Sequence, residues 1–230
     1  MTNLLSRAAW ARVIPFLLFM ALLALRGQLT PSSPDAAPGA FDGRWVYGIG
    51  VVVVTASLIV LRRQYTELLA GSRLRWHHAL LSIVVGLVVF KLWISLTEPW
   101  MMLGQPTAGF RPVNDEGELM WGLIVVRWVG AALMVPVMEE LFWRGFLMRW
   151  VDNPDFEQVD PASVSLKAIA LSTLVFMLAH TLWLGAIVAG MAYALLYRYT
   201  RSLWAAVLAH AVTNGVLGVW VVVNGYWDFW

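Results

Sequence analysis

The stretch VPVMEELFWRGFLM, residues 135–148, sets Glu139, Glu140 and Arg144 inside a segment that is otherwise apolar. Charged side chains in hydrocarbon are costly, so they either reach water at a helix end or serve a function. The rest of the chain shows which solvent applies. Of its 230 residues, 60% are hydrophobic and 13% charged, and the mean hydropathy is +0.70. A soluble domain carries roughly a quarter charged residues. The composition therefore predicts an all-α fold, a polytopic membrane helix bundle. The 14 tryptophans fit a chain with many membrane–water boundaries, and Trp10, Trp45, Trp76, Trp100, Trp121, Trp150, Trp204 and Trp227 lie where such boundaries are expected.

Working outward from residue 135, apolar runs able to span a bilayer of ~30 Å fall near 8–26, 45–61, 78–97, 119–142, 165–182, 184–199 and 202–223. The expected count is seven, or eight if one run divides. Arg7 and Arg12 before the first run resemble a signal peptide, but no small-x-small cleavage site follows it, so a retained span is expected. The connection RGQLTPSSPDAAPGAFDGR reads as an exposed loop. Arg7 and Arg12, the group Arg62, Arg63, Arg73 and Arg75, then Arg144 with Arg149 and Arg198 with Arg201 fall on one side, which the positive-inside rule makes cytoplasmic. NDEGE at 114–118 and the terminal YWDFW fall on the other side.

The basic residues flank apolar runs in short clusters, which argues against nucleic acid as a partner; lipid is the expected surroundings. There is no cysteine, which excludes disulfides, thiolate metal sites and cysteine nucleophiles.

Ionisable residues within spans are Lys91, Arg127, Glu139, Glu140, Arg144, His180 and His210, with Asn214 as a neutral polar addition. On a helix Glu140 and Arg144 share a face, while Glu139 points about 100° away and keeps no helix-local partner. Either Glu139 and Arg144 reach water at a cytoplasmic helix end, or Glu139 is a desolvated acid–base group. Phe176 with His180 and His210 with Asn214 repeat the four-residue spacing on two later spans. Counting ~1.5 Å per residue from the cytoplasmic ends puts Glu139, His180 and His210 about 18, 20 and 14 Å deep. Glutamate beside histidine can deprotonate water for attack on a carbonyl, and the second histidine and the asparagine can donate to the resulting oxyanion. The same Glu139, His180 and His210 are suitable ligands for a divalent metal such as zinc, although no His-Glu-x-x-His spacing occurs.

Glu139-Glu140-x-x-x-Arg144, Phe176-x-x-x-His180 and His210-x-x-x-Asn214, in that order over residues 119–223, resemble the CPBP family of CAAX prenyl proteases and bacteriocin-processing proteins. The resemblance implies an intramembrane endopeptidase acting on a membrane-associated protein or peptide. It implies Glu139 as the base assisted by His180, His210 and Asn214 as oxyanion donors, Glu140 with Arg144 as a supporting pair, and Phe176 as a packing residue. Residues 1–100 lie outside it and form an N-terminal three-helix region within one membrane domain. A bacterial inner membrane with the N-terminus cytoplasmic is the expected setting, without prenylated CAAX substrates in the literal sense. Two other functions share these residues: a non-catalytic immunity or scaffold protein, and a proton-coupled transporter.

Elsewhere, His77 and His78 read as headgroup-level residues, and Gly185 and Gly190 as sites of close helix approach. Pro136 removes a backbone donor one turn before Glu139. Lys91 and Arg127 either pair, snorkel or, for Arg127, meet a substrate carboxylate.

Overall fold

A computed structural model describes residues 5–29, 41–69, 74–104 and 110–230. Most of the predicted connection at 26–44, along with Arg73, lies outside these residues. Seven long helical segments follow one another: α1 Arg7–Leu29, α2 Val46–Leu61, α3 Trp76–Trp93, α4 Trp121–Asp152, α5 Leu166–Leu178, α6 Trp183–Thr200 and α7 Leu203–Asn224. Among the described residues the only β pairing is an isolated bridge between Val113 and Leu119. The fold is the expected all-α membrane bundle. Among the described residues, five segments are long and apolar enough to cross a membrane: α1, α2 with its flanks (Gly43–Gln64), α3, α4 and α7. The 13-residue α5 is shorter, and the 18-residue α6 carries more polar character.

Three run boundaries differ from expectation; one is the fifth, where the helix stops at Leu178 instead of near 182 and leaves His180 past its end. The third helix stops at Trp93 instead of near 97, where Ile94 closes it and the chain turns toward Glu98 and Pro99. The fourth does not end near 142 but continues to Asp152. Arg144, assigned by sequence to a cytoplasmic loop, therefore lies inside α4 and is 2% exposed. Groups from three helices surround it there, as shown below.

The α4 rod is not a uniform α-helix. Gly130–Met134 and Leu141–Leu147 are π-helical turns on either side of an α-helical Val135–Glu140. Such insertions rotate the side chains that follow them, and they are frequent at functional sites. The first has a visible cause. Pro136 has no N–H to give to the turn behind it, and in the π register that turn's acceptor is Ala131. Asn214 of α7 supplies the missing donor, with its Nδ2 2.9 Å from the Ala131 carbonyl oxygen.

α3 packs along α7, α1 along α2 and α5 along α6, with α4 between α1, α2 and α7. The main core lies at the level of Met138, Leu141, Trp143, Phe176, Tyr193 and Ala209. Close approach depends on glycine at a few places. A Cβ on Gly86 of α3 would stand 2.5 Å from the Ala209 carbonyl oxygen of α7, and one on Gly190 of α6 would stand 2.9 Å from Thr173 Cγ2 of α5.

One end of the bundle is closed by charge. Arg12, 1% exposed, donates to Glu67 of the α2–α3 connection through Nε at 2.9 Å and through Nη2. Its Nη1 donates to the Ala8 carbonyl at 2.6 Å, and Nη2 also reaches the Gln64 carbonyl at 3.0 Å. Arg149 approaches the same Glu67 at 3.6 Å, and Glu157 lies 3.5 Å from Arg12. Beside them, the Tyr65 hydroxyl donates to the Ala11 carbonyl at 3.0 Å. Burial pushes this phenol up to about 12, so it stays a donor at any physiological pH. Arg198 and Arg201 reach Ala162 and Asp160 on the same side. Arg12, Arg149, Arg198 and Arg201, which the sequence groups on one side, thus gather at one end. At the other end Phe110 bonds Trp230, Leu103 bonds Thr181, and the Trp183 indole donates to Trp100.

Candidate active site

The two adjacent glutamates of α4 have separate surroundings. Glu140 is 0% exposed and sits between two nitrogen-bearing partners, Arg144 and His210. Arg144 Nη1 donates to its Oε1 at 2.9 Å, and His210 Nδ1 of α7 meets the same oxygen at 2.9 Å. Arg144 is a hub: its Nη2 donates to the Gly190 carbonyl at 3.1 Å, and its guanidinium lies 4.8 Å from the Phe176 ring centre and 5.4 Å from that of Tyr193. One arginine therefore touches α4, α5 and α6, and through Glu140 it is coupled to α7. The predicted Glu140–Arg144 pairing is present.

Glu139 is half-buried, and its Oε2 is fully buried without a hydrogen-bond partner. Tyr47, His180 and Tyr193 lie within electrostatic range of it. The carboxylate that helical geometry leaves without a local partner is thus the one that enters no hydrogen bond or ion pair among the described residues, whereas Glu140 is held through Oε1 and keeps only a buried Oε2 without a partner.

His180 follows the last turn of α5, whose ending lets its ring fold back. Nδ1 lies 2.8 Å from the Phe176 carbonyl oxygen. A carbonyl only accepts, so Nδ1 carries the proton and Nε2 is left as the second site. The ring is held between Phe176, at 4.3 Å between centres, and the edge of Trp93 at 5.7 Å. Phe176 also meets Trp143 edge-on at 5.5 Å. It packs under Arg144 and His180 together, which is the packing role implied for it.

His210 is buried and stacked on Tyr193, 5.1 Å between centres with planes 20° apart. Tyr193 escaped sequence reasoning, though it lies three residues after Gly190 on the same face of α6. Its hydroxyl donates to Thr213 Oγ1 at 2.7 Å, and Thr213 in turn contacts the Gly86 carbonyl at 2.9 Å. With Nδ1 given to the Glu140 carboxylate, a neutral His210 presents Nε2 as an acceptor, and only its doubly protonated form donates there. Asn214 gives one amide N–H to Ala131 and keeps one.

The helices thus bring Glu140, Arg144, Phe176, Tyr193 and His210 into direct contact, with Glu139 and His180 within electrostatic range of one another. The supporting pair serves His210, a link that the spacing of motifs along the chain does not encode. Among the described residues, no group of three or more His, Asp and Glu side chains is gathered to hold a metal; the trio Glu139, His180 and His210 is not drawn into such a set.

Residues 121–216 match a family model described as Type II CAAX prenyl endopeptidase Rce1-like. The matched segment holds all the motif residues from Glu139 to Asn214, in agreement with the CPBP resemblance. Searches of curated proteins and of solved structures gave no match.

Proposed function

Starting from a segment, 121–216, that matches the Rce1-like endopeptidases, we propose that this chain is an intramembrane endopeptidase that hydrolyses a peptide bond of a membrane-associated protein or peptide. The observation that carries the proposal is the division of labour between neighbouring carboxylates. Glu140 is engaged through Oε1 by both Arg144 and His210, with its buried Oε2 left over, while Glu139 enters no hydrogen bond or ion pair among the described residues and its Oε2 is buried. Glu139 is the general base that takes a proton from water. His180 Nε2, aimed by the Nδ1 bond to Phe176, holds that water and shares the proton. The hydroxide attacks the scissile carbonyl, and the oxyanion is met by the second amide N–H of Asn214 and by His210 as imidazolium, the form that Glu140 can accompany. Preorganised donors in a water-poor interior are worth far more than in solution. The proton then passes from Glu139 to the leaving amine.

The chain sits in a bacterial plasma membrane, with its N-terminus and the end closed by Arg12, Glu67 and Arg149 facing the cytoplasm. The gathering of basic residues at that end supports this orientation.

The test uses purified protein in detergent micelles and a pool of apolar fluorogenic peptides. Wild type cleaves, while Glu139→Gln and His180→Ala are reduced by about 100-fold or more, the scale of a lost general base. Equal cleavage by wild type and Glu139→Gln would remove the assignment.

A further inference from the structure

A cavity of about 760 Å³ opens at the end of the bundle opposite the Arg12–Glu67 network, between the loop that precedes α4 and the last turn of α7. Ligand sites commonly measure ~300–1,000 Å³. The loop wall is fixed in advance. Val113 bridges Leu119, Asn114 Oδ1 accepts the Glu118 N–H at 2.7 Å, and Gly117 reverses the chain at a φ of 83°. Arg44 Nη1 ties this hairpin to the start of α2, donating to the Arg111 carbonyl at 2.9 Å and to the Val113 carbonyl at 2.7 Å.

The cavity carries both signs of charge. Arg111 and Asp115 line it, yet neither side chain enters a hydrogen bond or ion pair among the described residues, not even with the other. The end of α7 adds a second negative element. Among the described residues no backbone N–H from Gly225 onward reaches back to the carbonyls of Val222, Val223 or Asn224, which line the cavity. The unpaired last carbonyls of a helix form the negative end of its dipole. Trp227, half-buried, adds an aromatic face on which a cation can rest. An anion alone would meet Asp115 and the helix end, and a cation alone would meet Arg111. A ligand bearing a positive and a negative group satisfies all of them.

The border of the cavity is apolar. Leu119 and Val223 line it with 37% and 76% of their surface exposed. A ligand held here therefore continues onto the outer, lipid-facing surface of the bundle, at the level where a spanning helix ends and headgroups begin.

We propose that this cavity binds a phospholipid headgroup carrying a phosphate and a primary ammonium, the chemistry of phosphatidylethanolamine. Arg111 takes the phosphate through its planar fork of donors. The ammonium donates to Asp115 and to the α7 carbonyls against Trp227, while the acyl chains descend past Leu119 and Val223. A quaternary ammonium could rest on Trp227 but has no N–H to give to the carboxylate or the carbonyls. No part of this site involves Glu139, so it stands apart from the protease reading.

The test titrates purified full-length protein in detergent with phosphatidylethanolamine, phosphatidylcholine and phosphatidylglycerol of identical chains, counting bound lipid by native mass spectrometry. Phosphatidylethanolamine is held about tenfold more tightly than either of the others, the scale of one charge-assisted hydrogen bond. Arg111→Gln and Asp115→Asn each remove about that factor, and Arg111→Lys restores part of it. Neither Arg111→Gln nor Asp115→Asn breaks a described bond, so both keep the unfolding temperature of the lipid-free protein and a folding defect does not imitate the loss. Equal retention of the three lipids, or a preference that survives both substitutions, would overturn the proposal. Binding of glycerophosphoethanolamine, which lacks the chains, as tightly as the lipid would overturn the assignment to a lipid.

Discussion

Glu139 and Glu140 are adjacent in sequence and opposite in what they hold. Removing one partner from a buried charge cluster costs ~3–5 kcal/mol, because the remaining charge is left uncompensated. Glu140→Ala strands Arg144, which is 2% exposed, so thermal unfolding in detergent should move down by several degrees. Glu139→Gln removes no bond and should leave the unfolding temperature unchanged while ending cleavage. This contrast was half legible. Helical spacing separates the two glutamates and pairs Glu140 with Arg144, but the bond from His210 to Glu140 crosses seventy positions of sequence, and no local period reports it. Tyr193 was invisible for a similar reason: an aromatic residue on an apolar helix reads as core until its ring is found stacked on His210. Asn214 carried a signal that could have been found. Pro136 announces an acceptor without its donor in the preceding turn, and Asn214 fills it. Asn214→Leu should therefore cost ~1–3 kcal/mol, the penalty of an orphaned buried carbonyl, with activity falling beyond what the stability loss explains.

At the scale of elements, the site exists because helices approach closely at glycines and because α4 twice leaves the α register. Gly86→Ala would press a methyl against a backbone oxygen of α7 that no side-chain rotation can move. Overpacking of this kind costs ~1–3 kcal/mol, and it would also strain the Thr213–Gly86 contact that supports Tyr193. Gly215→Ala is the control. Its Cβ would meet only Ala132 Cβ at 3.7 Å, an ordinary contact, so unfolding temperature and cleavage should both be retained. The number and order of the helices were readable from apolar runs. The length of α4 was not, because Glu139, Glu140 and Arg144 look like a helix end until their partners on other helices are known. The π turns were unreadable as well, since they depend on tertiary donors such as Asn214.

At the scale of the whole molecule, residues outside the matched segment do not stand apart from it. Arg12 of α1 and Glu67 of the α2–α3 connection are nearly buried together, and Glu67 faces Gly145, the residue after Arg144. A Cβ on Gly145 would lie 2.8 Å from Glu67 Oε1. Glu67→Ala leaves Arg12 and Arg149 facing one another without their shared carboxylate. It should lower stability by ~3–5 kcal/mol, read as loss of the monodisperse protein on gel filtration in detergent. A fragment beginning at residue 119 should likewise fail to accumulate, since α2, α3 and the connection between them supply Tyr47, Glu67, Gly86 and Trp93 to the surroundings of the site.

The central claim is that Glu139 makes this bundle a peptidase. It is tested most directly by comparing peptide termini in membranes from cells carrying either the wild-type chain or Glu139→Gln at equal abundance. The account predicts a set of new C-terminal and N-terminal ends, mapping to apolar or membrane-associated segments, that is present with the wild type and absent with Glu139→Gln. Identical sets of termini from the two membranes, with both proteins folded, would contradict it.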